Sequence, residues 1–403
     1  MEHKKFWAAV RKVLAVTAAM LFIFLTLAPG AGAQGHYKTL YTFTGGADGA
    51  YLGANLTFDA AGNLYSTTNL GGDYGYGTVF QLTPNGDGGW TEKVLHSFNG
   101  VDGTTPTSGS PIFDAEGNLY GTTNQGGDYG AGTVFQLTPN GDGSWTESVL
   151  HSFDGADGSL PIAGLIFDQA GNLYGTTTAG GDYGGGTVFE LTSNGDGSWT
   201  ESVLRSFSGG DGSSPTANLT FDSAGNLYGT SLNGGAYGEG TVFQLTPNGD
   251  GTWTESVLHS FSGRDGRLPW WGLIFDPNGN AYGTTWAGGA YDGGTVFRLK
   301  PNGDGSWKET VLYSFATNGP GNVVLGPGAS FYGITMKGGT YGYGTVFRLK
   351  HRQGGWNETA YSFRDHPGAY PFAGVIFDAA GNLYSTTYGD GITTFGSVFE
   401  ITP

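Results

Sequence analysis

The sequence predicts an all-β fold: a seven-bladed β-propeller with four antiparallel strands per blade. Three observations point there. The phrase Gly62-Asn63-Leu64-Tyr65 recurs at Gly117, Gly171, Gly225, Gly279 (as GNAY), Ala329 (as ASFY) and Gly381, at steps of 55, 54, 54, 54, 50 and 52 residues. A period of that size marks a repeat architecture rather than separate domains. Each repeat holds four short runs rich in Val, Ile, Thr, Phe and Tyr, bounded by Gly, Asn and Asp turns, which is the content of one blade. The strand count is also offset across the ends. The last repeat stops after Ser397–Ile401, its third run, while Lys38–Phe43 matches the fourth run that ends at Phe98. The N-terminal strand therefore completes the last blade and removes an open edge. A β-solenoid, the rival repeat fold, would need capping ends and no such offset.

The third repeat shows the elements in order. Ala163–Asp168 is the first run, and Asp168–Asn172 is a turn. Leu173–Thr177 is the second run. A glycine-rich loop over 178–186 leads to Thr187–Thr192. Asn194-Gly-Asp-Gly197 is a hairpin turn, and Trp199–Phe207 is the fourth run. Helical periodicity is confined to the N-terminus.

Residues 1–33 read as a secretory signal peptide. Lys4, Lys5, Arg11 and Lys12 precede an apolar run, Val13–Leu27, and Ala31-Gly-Ala33 is a small-residue cleavage site. The run is short for a bilayer span of ~20 residues, so no membrane span is expected after cleavage. The propeller is then residues 34–403, placed outside the cytoplasm of a bacterium: secreted, periplasmic or at the cell surface. Seventeen basic residues face 34 acidic ones, a net charge of −17; losing the leader would leave 13 against 33, or −20. Such a surface repels nucleic acid and anionic membranes. There is no cysteine, which excludes disulfides and thiolate metal sites. No cofactor is expected, and the chain is expected to be a monomer.

The strings GNLYGTT (117–123), GGDYGAGTVFQLTP (126–139) and LHSFDGADGSLP (150–161) resemble the Gloeo/Verruco-type tandem repeat, the GloVer or choice-of-anchor family. The resemblance covers essentially all of 34–403. It implies an exported bacterial protein and carries no established activity. Members are named for varied C-terminal surface anchors, whereas this sequence ends at Pro403, directly after its last strand.

Residues present in every repeat are expected to serve the blade. Asp59, Asp114, Asp168, Asp222, Asp276 and Asp378 open turns and should bond their own backbone. The Asn-Gly-Asp-Gly strings lack the ligand spacing and distal Glu of a calcium loop. Trp90, Trp145, Trp199, Trp253, Trp307 and Trp356 start fourth strands and should pack. His96, His151 and His259 sit one per blade, so no metal cluster is expected, and no metal requirement for stability. GxG strings precede no helix, so they are not phosphate cradles.

Singular residues carry the functional reading. The fourth-to-first and second-to-third connections share one face. After the loop proline of the first connection stand Thr107, Ile162, Thr216, Trp270 and Phe372; at the second stand Asn69, Asn124, Thr178, Leu232, Trp286, Met336 and Tyr388. Variation at matched positions is where a scaffold differentiates a site. Beyond the leader, Trp270, Trp271 and Trp286 are the tryptophans outside the packing column and are expected to be accessible. Ten of the 13 basic residues beyond the leader fall within 264–364; Arg264, Arg267 and Lys337 lie in loops of that face. The candidate ligand-binding set is Trp270, Trp271, Trp286, Arg264, Arg267, Lys337, Phe372 and Tyr388. Flat aromatics with a few cations suit sugar rings or peptide side chains.

Three function classes follow. The first is a non-enzymatic exported propeller that binds an extracellular glycan or protein on the face of blades five to seven. The second is a multivalent lectin-like module built on the repeated Tyr74, Tyr129, Tyr183, Tyr237, Tyr291 and Tyr341. The third is a polysaccharide hydrolase or lyase, which needs two carboxylates about 5–10 Å apart. Asp265, Asp292, Asp365 and Asp390 sit in suitable loops, and no spacing singles out a pair.

Overall fold

A computed structural model describes residues 36–106, 109–317, 319–364, 370–389 and 394–402. Within His36–Thr402 the described strands form seven four-stranded antiparallel sheets, and no described segment is an α-helix. The signal-peptide reading of 1–33 lies outside the described residues.

The predicted closure is present. In the seventh sheet, strand His36–Thr42 pairs with Ser397–Thr402, which pairs with Leu383–Thr387 and then Ile376–Phe377. Blades one to six each run inner to outer in chain order. In blades one to five and blade seven the innermost strand is only two residues long, as at Ile166–Phe167.

The core lies between blades. Tyr120, Val134 and Phe153 of blade two pack with Leu165, Leu173, Phe189 and Leu191 of blade three, and this grouping repeats round the ring. At the seam, Leu40, Phe43, Tyr384 and Val398 of blade seven meet Leu52, Leu64 and Phe80 of blade one. A single blade therefore cannot bury its own apolar faces, and the ring must close for the fold to be stable.

The repeated residues serve the blade as expected. Asp168 accepts from Ala170 N (2.8 Å), Asn172 N (2.9 Å), Asn172 Nδ2 (2.9 Å) and the Tyr174 hydroxyl (3.3 Å). The column tryptophans of blades one to five pack edge-on to a tyrosine of the preceding blade, as Trp199 does on Tyr120 with centroids 6.3 Å apart, whereas Trp356 packs on Phe331 of its own blade. They are half-buried rather than enclosed. In the hairpin, Asp142 Oδ1 accepts from Ser144 N at 2.9 Å.

The loop face is pinned by backbone geometry. Thr105, Leu160, Ser214, Leu268 and Tyr370, each followed by proline, take φ of 53–60°. Bulky residues rarely adopt that region. Backbone bonds hold them there: Leu160 N donates to Ala131 O (2.9 Å), and Thr178 N donates to Leu160 O (3.2 Å). Gly132 (φ 103°) lies so close to Pro161 Cδ and Thr123 O that a Cβ would sit 2.5 Å from both. Glycine is required there by both space and torsion.

Candidate functional site

The first strands surround the axis. Gly164 N donates to Asn218 Oδ1 at 2.7 Å, and Gly374 N donates to Asn55 Oδ1. A Cβ on Gly109 would meet Gly164 backbone at 2.6 Å, and one on Gly272 would meet Asn218 O at 2.7 Å. Small residues thus let the inner strands nearly touch. What remains is a cavity of about 200 Å³ lined by Asn55, Thr216, Asn218, Trp271 and Asn322, among others. Its lining comes from blades one, three, four, five and six, which places it on the axis.

Trp271 stands where blades one, three, four and seven have Ala54, Ala163, Ala217 and Ala373. Its indole reaches past blade six to the edge of Phe372, with centroids 5.5 Å apart. Blade six is shortened here: four residues separate Phe315 from Pro320, against seven between Phe261 and Pro269. From Phe372 the ring contacts continue to Tyr388 (6.0 Å) and from Tyr388 to Tyr51 (5.1 Å). One aromatic chain thus links blades five, seven and one at the mouth of the axis.

The expected contrast in exposure is not found. Trp271 is 6% exposed, and Trp270 and Trp286 are half-buried like the column tryptophans. The cause is local. Blade six presents Gly319 so closely to the Trp286 backbone that a Cβ there would lie 1.9 Å from Trp286 O. Thr216 and Thr230 hydroxyls donate to the carbonyls of Trp270 (2.9 Å) and Trp271 (3.2 Å).

The structure brings Trp271, Phe372 and Tyr388 into one chain of ring contacts, with Trp270 the chain neighbour of Trp271. The cations are not part of it. Arg267 is paired with Asp292 at 3.1 Å, and Arg264 and Lys337 are exposed. Thr107, Asp365 and Asp390 lie outside the described residues. Tyr51, Asn55, Asn218 and Asn322 were missed by sequence reasoning. Tyr51 occupies the strained loop position (φ 62°), but in blade one Leu52 follows it where a proline marks that loop elsewhere.

Buried polar atoms without a hydrogen-bond partner fall mainly into two groups. Asn69 Oδ1, Asn124 Oδ1, Trp270 Nε1, Trp271 Nε1, Asn322 Oδ1 and Thr386 Oγ1 belong to the two inner strands of their blades and the loops beside them. Buried polar atoms are normally paired, so such a group calls for an explanation.

The second group is the Oε1 atoms of Glu92, Glu147, Glu201, Glu255 and Glu309, one per outer strand. Each Glu faces the preceding blade. Three of them meet a His and an Asp: His96, Asp102 and Glu147; His151, Asp157 and Glu201; His259, Asp265 and Glu309, with potential ligand atoms within 4.8 Å of one another. The histidines do stand one per blade. The carboxylates that complete each group come from the following loop and the next blade, which counting histidines alone did not reveal. His Nε2 to Asp Oδ2 distances are 3.0, 2.7 and 2.9 Å. Burial pushes each of the five glutamates up to about 7. Burial also lowers His259, against the pull of Asp265.

The other interfaces vary this pattern. Arg205 replaces the His beside Asp211 and Glu255. Tyr41 donates to Asp48 (3.3 Å) beside Glu92. Tyr313 donates to Glu358 (2.8 Å), where the shortened loop leaves a cavity of about 560 Å³. Tyr74, Tyr129, Tyr183, Tyr237 and Tyr291 project from their loops with 62–68% of their surface exposed, and Tyr341 with 46%.

The sequence matches the model of the Gloeobacter/Verrucomicrobia repeat over residues 25–230 and 219–403. The chain belongs to the Gloeobacter/Verrucomicrobia repeat family. Among solved structures it is similar to a putative 6-phosphogluconolactonase from Bacteroides uniformis, at 15% identity and TM-score 0.53, covering 82% of this chain and 88% of that one. It is also similar to a gluconolactonase from Xanthomonas campestris, at 16% identity and TM-score 0.44, covering 74% and 85%. At these identities the likeness is one of fold. No curated protein matches the sequence. The family therefore fixes the architecture, and the chemistry must come from this member's own residues.

Proposed function

We propose that this family member is a binding propeller whose ligand is a neutral glycan, taken at the mouth of the axis on the loop face. The observation that supports it most is a coincidence of two features. The aromatic chain Trp271–Phe372–Tyr388–Tyr51 runs beside buried polar atoms without a partner: Trp271 Nε1 on its first ring, Trp270 Nε1 next to it in sequence, and Asn69 Oδ1, whose backbone N–H donates to Tyr51 O at its other end. Flat aromatic faces take the C–H faces of a sugar, and the buried amide oxygens and indole N–H groups take its hydroxyls once their side chains turn out to meet it. A net charge of −17 disfavours polyanionic ligands. The test is a glycan microarray probed with the purified chain. Wild-type protein should bind a defined set of neutral oligosaccharides, and Trp270→Ala with Tyr388→Ala should not.

A second reading rests on the exposed tyrosines. A tyrosine two-thirds exposed on a rigid turn gives little stability and loses little entropy on contact, which suits weak repeated contacts to a polymer. Removing Tyr74, Tyr129, Tyr183, Tyr237, Tyr291 and Tyr341 one after another would then lower retention on an insoluble polysaccharide in steps. Axial binding predicts no such staircase.

A further inference from the structure

We infer that the three histidine groups at the blade interfaces are divalent transition-metal sites of the zinc class, each built from one imidazole nitrogen and two carboxylates. The members are His96, Asp102 and Glu147; His151, Asp157 and Glu201; and His259, Asp265 and Glu309. Imidazole nitrogen and carboxylate oxygen are the donors zinc accepts, and three protein ligands leave a fourth position for water. Zinc–ligand bonds of about 2.0–2.2 Å put tetrahedral donors roughly 3.3–3.5 Å apart. The potential ligand atoms already lie within 4.8 Å of one another, and binding draws them closer. On binding, Nε2 must be unprotonated to serve as the ligand atom, so the imidazole carries its one proton on Nδ1 and only a second ring proton, where present, leaves to solvent.

Two observations beyond the residue types support this. In each group the Glu Oε1 is buried and accepts no hydrogen bond. The His and Asp satisfy one another, so the buried carboxylate oxygen is the donor left over. The second observation is the protein's own substitution. At the next interface the imidazole is replaced by Arg205, whose guanidinium reaches both Asp211 and Glu255, the latter at 3.6 Å. Where the imidazole is absent, a fixed cation stands among the two carboxylates. That is the charge a bound ion would supply in the other three groups.

The experiment is equilibrium dialysis of the untagged full chain against zinc chloride, with bound metal read by mass spectrometry. About three ions per chain are expected. His151→Arg, which copies the Arg205 interface, should remove one of them. The variant carrying His96→Arg, His151→Arg and His259→Arg should bind none of the three while keeping the circular-dichroism spectrum of a folded propeller. If the arginine variant does not fold, the isosteric set Glu147→Gln, Glu201→Gln and Glu309→Gln gives the same readout. A wild-type chain that retains no zinc would overturn the inference, as would unchanged zinc content in whichever variant set is folded.

Discussion

Tyr37 stacks face to face on Tyr361 across the interface between blades six and seven, with ring centroids 5.4 Å apart and planes 5° apart. Tyr37 sits on the N-terminal strand, at the position that the buried glutamates hold in the blades that follow. The N-terminal strand is thus held by backbone pairing to Ser397–Thr402 and also to blade six by a face-to-face stack found at no other described interface. Tyr37→Ala should lower stability by roughly 1–3 kcal/mol, since the ring is only partly buried. Deleting residues 34–44 should do far more, because Leu40 and Phe43 belong to the seam core. Thermal melts of both variants check this. A deletion variant with an unchanged melting temperature would show that the ring does not depend on its seal.

The two kinds of tryptophan should separate by stability. Trp271→Ala empties a buried site against Phe372 and should cost about 3–5 kcal/mol. Trp270→Ala removes a half-buried ring and should cost less than half as much. Urea melts of the two single variants make the comparison. Equal losses would mean that both rings serve as packing.

The Asp turns should be measurable one by one. Asp168→Ala leaves the backbone N–H groups of Ala170 and Asn172 and the Asn172 side-chain amide short of a partner, while the Tyr174 hydroxyl keeps Glu190 at 2.7 Å, at a cost of about 1–3 kcal/mol. Asp168→Asn keeps the acceptor for the backbone and should cost less. Chemical denaturation of the two variants tests the order; a larger loss for Asn would show that the turn does not work through that oxygen.

Stability should also depend on pH in a characteristic way once metal is chelated. Glu92 and Glu255 have folded-state values raised to about 7 by burial, above an unfolded value near 4.5. A raised value means that the folded state holds its proton longer than the unfolded chain does. The stabilisation is complete below about 4.5 and is lost as pH rises through about 7. Asp59, Asp222 and Asp276 are lowered by hydrogen bonds that outweigh their burial. Their contribution is present above the unfolded value and is lost as pH falls through the folded one. Melting temperature should therefore peak in mildly acidic solution. Glu92→Gln with Glu255→Gln should flatten the decline towards pH 8. A variant that follows the wild-type curve would remove the glutamates as its cause.

The ring was legible because its determinants are local and repeated. Gly-Asn-Leu-Tyr fixes the first turn, Asn-Gly-Asp-Gly the third, and the unpaired run at Lys38–Phe43 can only close the last blade. The Asp turns were legible for the same reason, since donor and acceptor lie within six residues. Contacts between blades were not. Glu147 approaches His96 from 51 positions away, and nothing in the spacing of the histidines shows that a carboxylate arrives. The burial of Trp271 was hidden likewise. It follows from what blade six lacks and from the reach to Phe372, about 100 residues on. Tyr51 escaped because the proline that marks its loop elsewhere is missing in blade one.

Isothermal titration with an oligosaccharide selected on the microarray tests the central claim most directly. Axial binding predicts one ligand per chain, with binding abolished by Trp270→Ala and Tyr388→Ala and left intact when Tyr74, Tyr129 and Tyr183 are changed to Ala. Several ligands per chain, or binding that survives the axial substitutions and falls with the exposed tyrosines, would contradict it.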